Sequence, residues 1–138
     1  MIKKTFSSQA SPNAARTLAK SVCRFLRENI SDPDLLYELE LAITEAFSNV
    51  FVHAYEAKCG GKIQVDVALQ PGRRLIMEIR DWGRPYHGPL ESGLCPPRPD
   101  RENGRGIYLI SQIMDNFQFI RVKDTNILYL EKKLEESP

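Results

Sequence analysis

At 138 residues the chain has the length of one domain and can close a single hydrophobic core. Hydrophobic residues at 42% and charged residues at 27% are ordinary for a folded soluble protein and exclude an intrinsically disordered chain. With 19 basic and 18 acidic side chains the formal net charge is +1, so no global field draws the chain to nucleic acid or to an acidic membrane. No apolar run approaches a bilayer span, and Met1-Ile2-Lys3-Lys4-Thr5-Phe6 lacks the apolar stretch and cleavage site of a secretion signal. Cys23, Cys59 and Cys95 are odd in number and widely spaced, which argues against a disulfide framework and fits a reducing compartment. Without a C-x-x-C or a close histidine pair they make a poor zinc site with His53 and His87. A cytoplasmic protein is expected.

Residues 2–7 read as a short edge strand. Ser11-Pro12 supplies a cap and a first-turn proline, after which Leu18, Val22, Phe25 and Leu26 recur at helical spacing to about residue 28. Asp32-Pro33 starts a second helix, in which Leu39, Ile43, Ala46 and Val50 trace one apolar face as far as Lys58, before Gly60-Gly61. Period two then takes over. Ile63, Val65, Val67 and Leu69 alternate with polar residues, Gln70-Pro71-Gly72-Arg73 forms a turn, and Leu75, Met77 and Ile79 alternate on the return. Residues 82–103 have no period and hold five prolines and three glycines, a length of loop that in a small domain is usually functional. A short helix runs from about Arg105 to Met114, and strands at 117–123 and 127–134 flank a turn at Asp124-Thr125-Asn126. The order β-α-α-β-β-loop-α-β-β predicts an α+β, two-layer sandwich, with helices on one face of a mixed, mostly antiparallel sheet and residues 1–138 as one domain.

Three places depart from an ordinary core. Glu45, Asn49 and His53 follow one another at four-residue steps along an otherwise apolar helix. A carboxylate and an amide there need a partner or a ligand, and a solvent-facing stripe is the competing explanation. Such oxygens suit Mg²⁺, which prefers hard ligands and keeps waters or phosphates for the rest of its shell. Asp81 continues the inward parity of Leu75, Met77 and Ile79 and opens Asp81-Trp82-Gly83-Arg84-Pro85. It is either a strand-end turn residue or a buried acceptor for a ligand amino group, beside which Gly83 lets the backbone approach a flat ring. Asn103-Gly104-Arg105-Gly106 leads into Ile107-Tyr108-Leu109-Ile110; glycines at a helix start expose N–H groups that suit phosphate, although neither a P-loop nor a dinucleotide fingerprint is present.

Together and in this order, these segments resemble the ATPases of the Bergerat fold (GHKL, or HATPase_c), the family of gyrase, Hsp90, sensor histidine kinases and MutL. Glu45-x-x-x-Asn49-x-x-x-His53 matches the N box, Asp81-Trp82-Gly83-Arg84-Pro85 the first glycine box and Gly104-Arg105-Gly106 the second. Thr44-Glu45-Ala46-Phe47-Ser48-Asn49 and Gly104-Arg105-Gly106-Ile107-Tyr108-Leu109-Ile110 are similar to the anti-sigma factor serine/threonine kinase branch.

The resemblance implies ATP and Mg²⁺ as ligands. By that likeness Glu45 is the general base, Asn49 ligates the metal and Asp81 holds the adenine amino group. His53, Gly83, Pro85 and Thr125 surround the nucleotide, Gly104, Arg105 and Gly106 close over the phosphates, and residues 82–103 form the ATP lid. Arg105 would also stabilise charge on the transferred group. The implied partners are a phosphorylated anti-sigma antagonist and a sigma factor or similar regulator, and members of the branch often form homodimers. Two departures stand out: His87 replaces an aspartate, and Asp124-Thr125-Asn126 replaces a Gly-Thr-Thr turn. Three functions fit: a protein serine/threonine kinase that sequesters a regulator, an ATP-binding partner-switch module, and a hydrolase of the same fold. Arg98, Arg101 and Arg105 have no accompanying aromatic platform, so direct nucleic-acid binding is not expected.

Overall fold

The period-two segments become a sheet and the period-3.6 segments become its cover. The computed structural model describes residues 1–56, 58, 60–85 and 105–134. Its elements are β1 (Ile2–Gln9), α1 (Pro12–Arg27), α2 (Pro33–Asn49), a π-helical turn (Val50–Ala54), β2 (Lys62–Gln70), β3 (Arg74–Asp81), α3 (Arg105–Ile113), β4 (Asn116–Val122) and β5 (Thr125–Lys133). The strands lie in the order β1-β2-β3-β5-β4, with β1 at an edge as its sequence suggests. The helices pack on one face, giving the expected two layers. The sheet is not mixed: all four described pairings are antiparallel. The reason is the path after β3. The chain passes through α3 to the far edge, and β5 returns by a hairpin into the gap between β4 and β3.

Cross-strand partners share a face, so the register sorts the covered face into rows. One row reads Lys4, Val67, Met77, Leu130, Phe117 and the next Phe6, Val65, Ile79, Leu128, Phe119. The row after that is Ser8, Ile63, Asp81, Asn126, Arg121. The inward residues of β2 and β3 up to Ile79 are at most 2% exposed. Each such side chain contributes about 1.5–3 kcal/mol by leaving water. The face therefore changes from apolar to polar in its terminal row, three of whose members carry polar or charged groups side by side.

Both helix starts behave as read. Ser11 Oγ accepts from Ala14 N at 3.1 Å, and Asp32 Oδ1 accepts from Asp34 N at 3.0 Å, each with proline in the first turn. Leu39, Ala42, Ile43, Ala46 and Phe47 of α2 are fully buried against the sheet. The second helix does not continue as α-helix to Lys58. It widens after Asn49, where Tyr55 N–H donates to Val50 O across five residues, and the helical path ends at Ala54. Among the described residues no helix is long and apolar enough to cross a membrane.

The last hairpin is tighter than expected. Val122 pairs with Thr125, so the turn is Lys123-Asp124 and Thr125 and Asn126 belong to the strand. Lys123 has φ 56°, a left-handed conformation that costs a residue with a Cβ roughly 1–2 kcal/mol. Lys123→Gly is expected to stabilise the fold by about 0.5–1 kcal/mol, the strain relief exceeding the added chain entropy. The midpoint of urea unfolding, at unchanged slope, reads the effect.

Candidate functional site

Inward parity carries Asp81 from the core side of β3 into the polar terminal row, where it is only 5% exposed. Burial raises its pKa above the usual carboxylate value, opposed by hydrogen bonds from Asn126 and Gly83 and by the charge of Arg121. Asn126 Nδ2 donates to Asp81 Oδ1 at 2.7 Å and Gly83 N donates to the same oxygen at 3.0 Å. Among the described residues both bonds fall on Oδ1, so Oδ2 is the oxygen left for an incoming donor.

Asp81 lies at a cleft between the end of α2, the π-helical turn and the sheet. Its polar lining comes from Asn49, His53, Asp81, Arg84 and Asn126, and Phe119 and Leu128 of the adjacent apolar row supply hydrophobic surface. Asn49 ends α2 and His53 sits in the π-turn, so the wider turn still delivers both to one cleft. Burial, and then the positive charge of Arg84, lower the His53 pKa and favour the neutral imidazole.

The backbone that follows Asp81 is fastened to the end of the second helix. Arg84 N donates to Ala54 O at 2.9 Å and Arg84 Nε to His53 O at 2.7 Å. Tyr55 Oη accepts from Trp82 N at 3.0 Å and donates to Lys62 O at 2.6 Å. Gly83 is demanded by this packing: a Cβ there would lie 2.6 Å from the carbonyl carbon of Ala54 and nearer still to its oxygen. Its smallness serves this close approach of two segments of the chain; room for a flat ring beside it is the expectation from sequence.

Glu45 is not part of that lining. It reaches instead to the first turn of α3, where a Cβ on Gly106 would meet Glu45 Oε2 at 3.0 Å. The N-terminal turn of a helix presents free N–H groups and the positive end of its dipole. Glu45 and Asn49, one helical turn apart, thus serve two adjoining places: the start of α3 and the cleft.

Of the remaining expected site residues, Pro85 closes the described part of the segment after β3 and Arg105 opens α3. Gly104, His87 and most of the expected lid lie outside the described residues. Thr125 does not line the cleft; its hydroxyl donates to Asp124 at 3.3 Å. Asn126 does line it, and with Arg84 and Phe119 it was overlooked as a site residue. A signal existed: Leu128 and Leu130 share inward parity, and extending it two residues back reaches Asn126.

The two glycines should respond differently to alanine. Gly83→Ala drives a methyl group into backbone that cannot yield, and is expected to cost more than about 2 kcal/mol in urea unfolding. Gly106→Ala meets only the mobile end of Glu45, so its cost should stay below about 1 kcal/mol while the carboxylate is displaced.

Residues 8–132 match the histidine kinase-like ATPase domain. The anti-sigma F factor of Priestia megaterium is 30% identical over 124 residues, covering 85% of this chain and 82% of that protein. The serine-protein kinase RsbW of Bacillus mycoides is 29% identical over 114 residues, covering 75% and 70%. Among solved structures, the RsbU and RsbW domains of a Mycobacterium tuberculosis protein superpose with a TM-score of 0.71 at 18% identity, covering 99% of this chain and 34% of that one. That likeness concerns the fold, and the family match supplies the rest: this chain belongs to the histidine kinase-like ATPase domain family.

Proposed function

We propose that the chain is a cytoplasmic, ATP- and Mg²⁺-dependent serine/threonine protein kinase of the anti-sigma type, which phosphorylates an antagonist protein and sequesters a sigma factor or similar regulator. The observation that carries the reading is the Asp81 carboxylate, buried beside a cleft with both of its described hydrogen bonds on one oxygen. The other oxygen asks for an N–H donor, which the exocyclic amino group of adenine supplies. The names of the similar proteins, anti-sigma F factor and serine-protein kinase RsbW, support the protein-kinase and partner-switching part.

In this reading the base lies against Phe119 and Leu128 with its amino group on Asp81, and Arg105 and Gly106 at the start of α3, together with Gly104, receive the phosphates. Among the described residues no group of three or more His, Cys, Asp or Glu side chains forms a metal cage. The donor set suits Mg²⁺ nonetheless: Asn49 offers one hard oxygen in the cleft, and phosphates and water complete the shell. When bound, the ion offsets phosphate charge. Glu45 accepts the proton of the incoming hydroxyl as its oxygen bonds to the γ-phosphorus and the bond to the ADP oxygen breaks.

The test uses γ-labelled ATP, Mg²⁺ and candidate antagonist proteins, with wild type and Glu45→Ala side by side. Label should reach a Ser or Thr, and Glu45→Ala should slow transfer by about 10²–10⁴-fold with ATP still bound. Binding without transfer would make the chain an ATP-gated binding module, and equal phosphate release with or without a partner would make it a hydrolase.

Asp81→Asn gives an independent test. Because burial raises the Asp81 pKa, the folded chain holds that proton more tightly than the unfolded chain. The ionised group costs stability above its folded pKa, and the cost vanishes below the unfolded value of about 3.9. Asp81→Asn is therefore expected to abolish ATP binding yet melt no lower than wild type at pH 7, with any advantage disappearing as pH falls below about 4. Calorimetric titration and thermal unfolding across pH read the two effects.

A further inference from the structure

Arg121 stands on the edge strand β4, outside the residues that the nucleotide reading uses, yet its guanidinium is tied into the base end of the cleft. Arg121 Nη1 donates to Asn126 Oδ1 at 2.9 Å and to Gly83 O at 3.0 Å, and Nε donates to Lys123 O at 2.8 Å. Asn126 Nδ2 in turn donates to Asp81 Oδ1 at 2.7 Å and to Arg84 O at 2.8 Å, with Gly83 O at 3.4 Å. The register makes this possible, since Arg121, Asn126 and Asp81 are successive cross-strand partners in one row.

The chemistry of an amide makes the row directional. Asn has one acceptor end and one donor end, and Arg has donors only. Arg121 therefore fixes Oδ1 toward β4 and the amino group toward Asp81 and the carbonyls of residues 83 and 84. The flipped amide would set an oxygen against a carboxylate and two carbonyls, and an N–H₂ against a guanidinium. With its two N–H bonds given to Asp81 and Arg84, Asn126 has no donor left for a ligand. It does not read the base; it holds the residue that does. The same bonds, with those from Arg84 to His53 and Ala54, fasten residues 83 and 84 from both sides.

We propose that Arg121 and Asn126 are positioning residues. They orient the Asp81 carboxylate and immobilise the backbone root at Gly83-Arg84, so that the cleft selects a purine with an amino group over one with a carbonyl at the same position. This rests on the nucleotide reading for its ligand, but not for the fixed root. The charged and titratable groups around Asp81 are Arg121 from β4, Tyr55 and His53 from the end of the second helix, and Arg84 from the segment after β3.

The first arm uses nucleotide-free protein. Amide hydrogen exchange at Gly83 and Arg84 should be at least about tenfold faster in Arg121→Ala, as expected for loss of hydrogen bonds from a charged donor. Arg121→Lys should restore part of the protection, while Met77 and Leu130 exchange as in wild type. Unchanged exchange at Gly83 and Arg84, or a rise shared with Met77 and Leu130, overturns the fixed root. In the second arm, calorimetric affinities for ATP and GTP should show the ATP preference of Arg121→Ala reduced about tenfold. A preference equal to wild type overturns the selectivity claim. In the third arm, Asn126→Asp sets a second carboxylate against Asp81, so ATP binding should be weak at pH 8 and improve on acidification, as the pair comes to share a proton and the donor returns. Wild type should not improve. Equal binding by Asn126→Asp and wild type at pH 8 overturns the donor role. If wild type binds neither nucleotide, the nucleotide reading fails, and the exchange arm still decides the fixed root.

Discussion

A carboxylate kept in the terminal row of an otherwise apolar sheet face must be supplied with donors, and most of the site follows from supplying them. Asp81 is inward because β3 alternates, and its neighbours in the row are set by register. Desolvation disfavours its charge, and the Asn126 amide, the Gly83 N–H and the Arg121 cation compensate. Those groups come from β5, from the chain just after β3, and from β4. Holding them in place requires Gly83 to press on Ala54 and Arg84 to bond back to the second helix. Function and stability pull against each other here. A neutral isostere would satisfy the fold more cheaply, and in the nucleotide reading proposed above the second oxygen serves the ligand.

The site has two ends with different construction. The end around Asp81 is built of sheet and helix termini, with hydrogen bonds on every side. The adjoining end is the start of α3, whose first turn meets Glu45. The far end of α3 is well secured: Lys132 Nζ donates to Ile113 O at 2.7 Å, and Asp115 N donates to Glu131 O at 2.9 Å. One helix therefore has its C-terminus tied to β5 and its N-terminal turn set against Glu45.

Much of this was legible from residue order. Alternation in 62–81 gave two strands and their buried face, capping residues gave both helix starts, and the parity of Leu75, Met77 and Ile79 placed Asp81 inward. What escaped was set by partners remote in sequence. The sheet was expected to be mixed because element order does not say that β5 inserts beside β3. Asn126 was read as turn because Asp-Thr-Asn has turn composition, whereas the two-residue hairpin puts the reversal at Lys123-Asp124. Nothing local reveals that Gly83 also lies against Ala54 O. Arg121 carries no motif; its place comes only from pairing opposite Asn126.

The change of helical pitch after Asn49 has a further meaning. The wider turn is also where the helical path ends, so the carbonyls of His53 and Ala54 have no intrahelical donor, and both accept from Arg84. The one residue of surplus length is thus a splice between helix and sheet. Its removal would rotate everything beyond it by about 100° and carry the His53 and Ala54 acceptors away from Arg84.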